Sequence, residues 1–177
     1  MPLDFRDYLA YAKKYLSLAE EAAGRREDSR WLLIPSIVLA WAAVESFVNN
    51  RCDDLSSVPQ EKFDLHERAF LLERRLRFSD RGAQIGQFVF EGKEYQTQEN
   101  KIFFLLSKMG ARKATGLKGG DLWRRFRKFK DTRDSLLHPK RGKPADLRPQ
   151  TVRKHVQTAG QLIQEISKRI WKKSVDL

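Results

Sequence analysis

The stretch WLLIPSIVLAWAAV, residues 31 to 44, carries a single polar side chain, Ser36, in fourteen positions. A helix this apolar on every side has to be enclosed by the rest of the chain, which places it at the centre of a bundle. The stretch is too short to cross a bilayer, which takes about 20 apolar residues, and Pro35 interrupts it. We therefore expect a buried core helix in a cytoplasmic protein with no membrane contact. It starts after Ser29 or at Pro35, since a first turn tolerates proline. The same helix continues past Glu45 to Asn50. A buried carboxylate without a partner is costly, so Glu45 either reaches solvent or meets a cation or a hydrogen-bond donor.

Other segments supply the enclosing helices. Residues 4–24 place Tyr8, Ala12, Tyr15, Leu16, Ala19 and Ala23 on one face, opposite Lys13, Lys14, Glu20 and Glu21. Residues 149–173 carry Val152, Val156, Ala159, Ile163, Ile166 and Ile170 at spacings of 4-3-4-3-4, the clearest amphipathic pattern in the chain. Residues 61–78 read as a helix with Phe63, Phe70 and Leu71 inward, and 99–109 as another. Residues 121–138 read as a helix with Asp121 as N-cap and a stripe of Leu122, Phe126, Phe129 and Leu136 or Leu137. Pro139 should end it at or just before His138. Gly82, Gly86 and Gly92 punctuate the segment 79–98, where QFVFEGKEYQT reads as a short hairpin or a surface loop. ARKATGLKGG reads as a flexible connection. The expectation is one all-α domain over residues 1–177. It is a bundle of about five helices (core segments about 4–24, 29–52, 61–78, 99–109, 121–138 and 149–173) with an irregular insertion around residues 79–120.

Charge is distributed unevenly along this frame. The formal net charge is +12, yet residues 1–121 hold 19 basic and 18 acidic side chains. Residues 122–177 hold 16 basic and 5 acidic ones, so nearly all the excess lies in the last third. Such a segment favours a polyanionic partner. Dedicated metal chemistry is not expected: three histidines and one cysteine form no HExxH or CxxC spacing. GLKGGD lacks the spacing of a nucleotide-binding loop, so no cofactor is expected. Cys52, being alone, excludes an internal disulfide and fits a reducing compartment. His66 and His155 read as exposed, and Trp41 and Trp123 as core anchors. Trp171 could pack, touch RNA or join a dimer contact.

The remaining pattern is RDSLLH, residues 133–138, with basic residues on both sides. Five residues rotate a helix by about 140° and raise it about 7.5 Å, so Arg133 and His138 do not converge within a straight helix. They can share one phosphate if His138 lies in a distorted last turn, or if a second copy of the helix faces the first. Such a pair suits RNA cleavage by transesterification, where the substrate 2′-hydroxyl is the nucleophile and neither metal nor protein nucleophile is required. A histidine moves the proton, and a planar guanidinium stabilises charge on the phosphoryl oxygens. Arg127 and Lys130 upstream, with Lys140 and Arg141 downstream, could hold the strand. A basic helix face is also commonly just a solvated face, and the spacing alone recurs in many helical proteins.

RDSLLH at the end of a late helix resembles the Arg-polar-x-x-x-His signature of the HEPN domain family. YLAYAKKYLSLAEEA followed by IVLAWAAVESFVNN is similar to that family's first two helices. The resemblance implies a helical bundle forming a two-fold homodimer, with two motif copies facing each other across a basic cleft. It also implies a metal-independent endoribonuclease of defence or toxin–antitoxin type, a setting that admits an antitoxin partner. By position, Arg133 and His138 would be the catalytic pair. Asp134 would fill a polar position that is often asparagine, adding a negative charge that restrains or repositions Arg133. Glu45 would correspond to a buried supporting acid. Residues 79–120 match no part of the family pattern. Two other readings stand beside this one. The first is a non-catalytic HEPN-like RNA-binding or protein-interaction module, and the second a basic helical DNA-binding protein.

Overall fold

A computed structural model describes residues 3–59, 62–109, 114–138 and 145–177. Among them it contains seven α-helices and one two-stranded antiparallel sheet, so the protein is mainly α. Two compact units emerge, one built from Met1–Phe47 with Leu106–Leu177 and the other from Val48–Leu105.

The first unit opens with α1, Phe5–Gly24. Asp4 starts it with a capping box: its carboxylate accepts from the Arg6 and Asp7 amides, and the Asp7 carboxylate accepts from the Asp4 amide. The buried face is Phe5, Leu9, Ala12, Leu16, Ala19 and Ala22. This is a rotation from the expected stripe, since Tyr8 and Tyr15 are only half-buried and Ala23 is exposed. Phe5 and Leu9 bury no polar atom, whereas a tyrosine hydroxyl seeks a partner or water, so the purely apolar residues set the face.

Helix α2 runs Arg30–Ser56, in the first unit as far as Phe47 and in the second from Val48. It begins ahead of Pro35, which lies inside the helix and withholds the donor that would reach the carbonyl of Trp31. The hydroxyl of Ser36, the one polar group of the apolar stretch, is buried and donates to the carbonyl of Ala12 at 2.9 Å. At its full length α2 is long and apolar enough to cross a membrane by length and composition, which the fourteen-residue stretch alone is not. Leu33, Ile37, Ala40, Ala43 and Val44 are fully buried in this structure.

Helix α4, Gln98–Met109, belongs to the second unit up to Leu105 and enters the first at Leu106; the short α5, Ala114–Lys118, lies where the sequence predicts a flexible connection. Buried Leu117 anchors that turn. Helix α6 spans Asp121–Leu137, with Gly120 and not Asp121 at the N-cap. Asp121 sits in the first turn, where it complements the helix dipole and pairs with Arg124 and Arg125. Helix α7, Pro149–Trp171, starts on proline, and the Asp146 carboxylate accepts from the Arg148 amide and the Thr151 hydroxyl. It packs against both α1 and α6. This explains a buried face wider than a single stripe: His155, Thr158, Leu162 and Ser167 join Val152, Val156, Ala159, Ile163 and Ile166.

His155 thus corrects the expectation of an exposed side chain. It is 4% exposed and stacks on Phe129 with ring centroids 5.3 Å apart. With Ala159, Leu162 and Ile166 it forms a second row at 4-3-4 spacing beside the first. Burial pushes its imidazole down to about 4, and the charge of Lys128 acts in the same direction. Trp41 and Trp123 are core residues, both touching Phe126. Trp171 is part-exposed and meets Phe47 edge-on at 6.3 Å.

In the second unit, Asp64 and Glu67 form a capping box for α3, which spans only Leu65–Leu71. The expected helix over 61–78 stops there because Glu73 takes the left-handed conformation, φ 48°, and turns the chain. RRLRF then forms strand β1, Arg74–Phe78, antiparallel to β2, Phe88–Lys93. Gly92, at φ 60°, is the extra residue of a bulge opposite Arg74 and Arg75. The loop between the strands includes a single 3-10 turn, Gly82–Gln84.

Candidate functional site

Helix α6 presents its apolar residues to α2 in a column: Trp123, Phe126 and Phe129 are buried, and Arg133 follows one turn later on the same side. Trp41 of α2 receives this column. Its ring stacks on Phe126 at 5.3 Å with an interplanar angle of 4°, and Phe129 meets it edge-on at 5.4 Å. The Arg133 guanidinium completes the set, 5.3 Å from the centroid of the Trp41 ring. Glu45 lies one turn beyond Trp41 on α2, and its carboxylate is 3.8 Å from Arg133 Nη2. Asp134 accepts a hydrogen bond from Arg133 Nη1 at 2.9 Å. The guanidinium is therefore fixed from three sides, and its side chain is only 24% exposed.

Asp134 acts as a restraint on Arg133, and Glu45 does both things expected of it, meeting a cation while its side chain stays 36% exposed. Two carboxylates around one guanidinium leave the immediate cluster with a net charge of about −1. A phosphate entering here has to compete with them or be helped by other cations.

His138 is the C-cap of α6 (φ −129°, ψ 70°), and its amide donates to the Asp134 carbonyl at 2.8 Å. Its side chain is exposed. Among the described residues no hydrogen bond joins it to Arg133. At about 100° per residue, Arg133 lies on the buried stripe, Lys130 and Asp134 at its edge, and Arg127 and His138 on the exposed side. The exposure agrees: Arg127 is open to solvent, and Lys130 and Asp134 are intermediate. The five residues thus occupy one arc of about 140° on the last turns of α6. Lys140 and Arg141 lie outside the described residues.

Sequence reasoning missed the role of Trp41 as the platform under Arg133. The signal was present, since Trp41 and Glu45 are four apart and so share a helix face.

A second polar cluster occupies the second unit. Asn49, Cys52, Asp53, Ser56, Glu73 and Lys101 border a cleft of about 370 Å³. Lys101 Nζ lies 2.7 Å from Glu73 and donates to Asn49 Oδ1 at 2.9 Å. Partial burial favours the neutral acid at Glu73, but Lys101 and the Gln96 amide outweigh it and hold the carboxyl below its ordinary range. Burial pushes the Cys52 thiol up to about 11, with Lys101 opposing, so it is protonated at neutral pH and ill-suited to act as a nucleophile. Its chemistry fits a satisfied buried ion pair better than a reaction centre.

In comparisons with known proteins, no protein-family model, curated protein or solved structure matches the chain.

Proposed function

We propose that this chain is a metal-independent endoribonuclease of HEPN type. It cleaves RNA as a homodimer in a cytoplasmic defence or toxin–antitoxin setting, where an antitoxin can hold it in check. The observation that carries the reading is the contrast along α6: a guanidinium locked by Trp41, Glu45 and Asp134, and an exposed imidazole at the helix end. Fixed charge and an accessible proton carrier are the two things phosphodiester transesterification asks of a protein. The ribose 2′-oxygen attacks the adjacent phosphorus, His138 takes its proton, and the bond to the 5′-oxygen breaks. His138 of the partner subunit returns a proton to that leaving oxygen. Arg133 stabilises the charge that gathers on the non-bridging oxygens, and Arg127 and Lys130 help hold the strand. A facing copy brings its carboxylates along with its cations, so the positive charge at the site comes from Arg127 and Lys130, which with Arg133 outweigh Glu45 and Asp134 in each copy.

The test is incubation of the purified protein with mixed RNAs, with and without EDTA. Cleavage should persist with chelator and leave 2′,3′-cyclic phosphate ends or their hydrolysed form. His138→Ala should abolish it while leaving fold and RNA binding nearly intact. Cutting of an all-2′-deoxy substrate would rule the mechanism out.

One observation favours a second reading. Both side chains that pair with Arg133 are acidic, as in a packing residue, and this suits a non-catalytic HEPN-like interaction or RNA-binding module. On that reading the wild type shows no cleavage for His138→Ala to remove.

A further inference from the structure

We propose that the β1–β2 hairpin is a stacking platform for single-stranded RNA, separate from the Arg133 and His138 cluster. Phe78 and Phe88 are direct cross-strand partners at the loop end of the hairpin. Their rings meet edge to face, with centroids 5.5 Å apart and planes at 70°. They are 55% and 56% exposed, and Ile85 in the connecting loop is 66% exposed. Strand alternation puts Leu76 and Phe90 on the same face, and both are half-buried beside α3, where the Arg68 guanidinium stands over the Phe90 ring at 5.6 Å. The inner end of the aromatic face is therefore anchored while the outer end is left open.

Two uncovered phenylalanines on a short hairpin cost solubility unless something uses them. The surrounding charge selects the user. From Arg74 to Lys93 the hairpin carries five basic and two acidic side chains. The Arg81 side chain is 90% exposed, with its nearest carboxylate, Asp80, 3.9 Å away. Strand alternation puts Arg75 and Arg77 on the opposite face, where Arg77 pairs with Glu91, so the open rings have Arg81 of the connecting loop, and Arg74 further along their own face, as cations. Exposed rings with cations on the same side suit a strand of bases and phosphates, the bases to stack and the phosphates to meet the charge.

The competing occupants fit less well. A bilayer would have to accept the unpaired backbone groups along the outer edges of a two-stranded sheet, which hydrocarbon penalises heavily. A third strand from another copy would meet the Gly92 bulge in β2, which breaks the regular ladder. Single-stranded RNA needs neither a dry edge nor a regular one. The choice of RNA over DNA rests on the nuclease reading above, whereas the stacking geometry does not.

The experiment uses the full chain in a His138→Ala background, so that binding is read without cleavage. The probes are a labelled single-stranded oligouridylate, a duplex RNA of equal length, and phosphatidylserine-containing vesicles. Phe78→Ala with Phe88→Ala should weaken single-strand binding by about tenfold to a few hundredfold and duplex binding far less. Phe78→Tyr with Phe88→Tyr, which keeps the rings, should stay within about twofold of the parent. Unchanged single-strand affinity in the alanine variant overturns the proposal, as does a tyrosine variant that loses as much as the alanine one. A variant that loses only vesicle binding, or only self-association, also overturns it by naming a different occupant. Cleavage is assayed separately with His138 intact. A nuclease indifferent to the alanine pair sinks the platform alone, whereas a non-cleaving wild type whose hairpin still binds sinks the nuclease alone.

Discussion

The guanidinium of Arg133 stands 5.3 Å from the ring centroid of Trp41, and Glu45, one turn further along α2, holds it from the side at 3.8 Å. The catalytic candidate is thereby joined to the aromatic core. Trp41 also carries Phe126 and Phe129, so Trp41→Ala should open a cavity and lower stability by about 3–5 kcal/mol. Urea denaturation should show a reduced midpoint with little change in slope. A loss under about 1 kcal/mol would mean that the column can collapse around the gap.

On the proposed nuclease reading, Asp134 competes with phosphate for the Arg133 guanidinium, to which it is hydrogen-bonded. Asp134→Asn keeps the shape and removes one charge in contact with Arg133. RNA binding should tighten by roughly threefold to tenfold at low salt, with a smaller gain at high salt. Titrations at two salt concentrations read this directly, and equal affinities at both would show that the aspartate does not restrain the site.

His155 should make stability depend on pH. Its folded pKa, about 4, lies below the ordinary histidine value, so the unfolded chain binds the extra proton as pH falls. Stability is then full at about pH 7 and declines toward pH 4, with a slope approaching about 1.4 kcal/mol per unit. Urea midpoints at pH 7, 5.5 and 4.5 should trace this decline. His155→Phe should flatten it, and an equal slope in that variant would assign the effect elsewhere.

Cys52 should be inert in the folded protein. A buried thiol pushed to about 11 exposes almost no thiolate at pH 8. Iodoacetamide should label it at least about a hundredfold more slowly in the native chain than in urea. Cys52→Ala should retain full RNA cleavage, and a loss of activity in a folded variant would reopen the second-unit cleft as a reaction centre.

The parts of the fold that could be read in advance are those where periodicity is set by many similar residues. The α7 row from Val152 to Ile166 and the enclosure of α2 are of this kind. The misreadings come from single residues in competition with their neighbours. RRLRF reads as helix because its arginines suit a solvated helical face, while the pairing partner that makes it a strand lies across a nine-residue loop. Nothing local announces the left-handed Glu73 that ends α3. His155 lies off the one stripe that the spacing picks out, but α7 lies against both α1 and α6 and needs two. At the site, spacing alone could nominate Arg133, His138, Asp134 and Glu45. It could not show that Arg133 continues the aromatic column, because that depends on which face of α2 meets α6.

An ordinary surface arginine sweeps through many rotamers and must surrender them each time it grips an anion. Here the last rung of an aromatic ladder is a cation, and its freedom is already given up when the helices pack. A ligand that meets Arg133 therefore finds a rigid fork whose aim is set by the stiffness of the interior behind it.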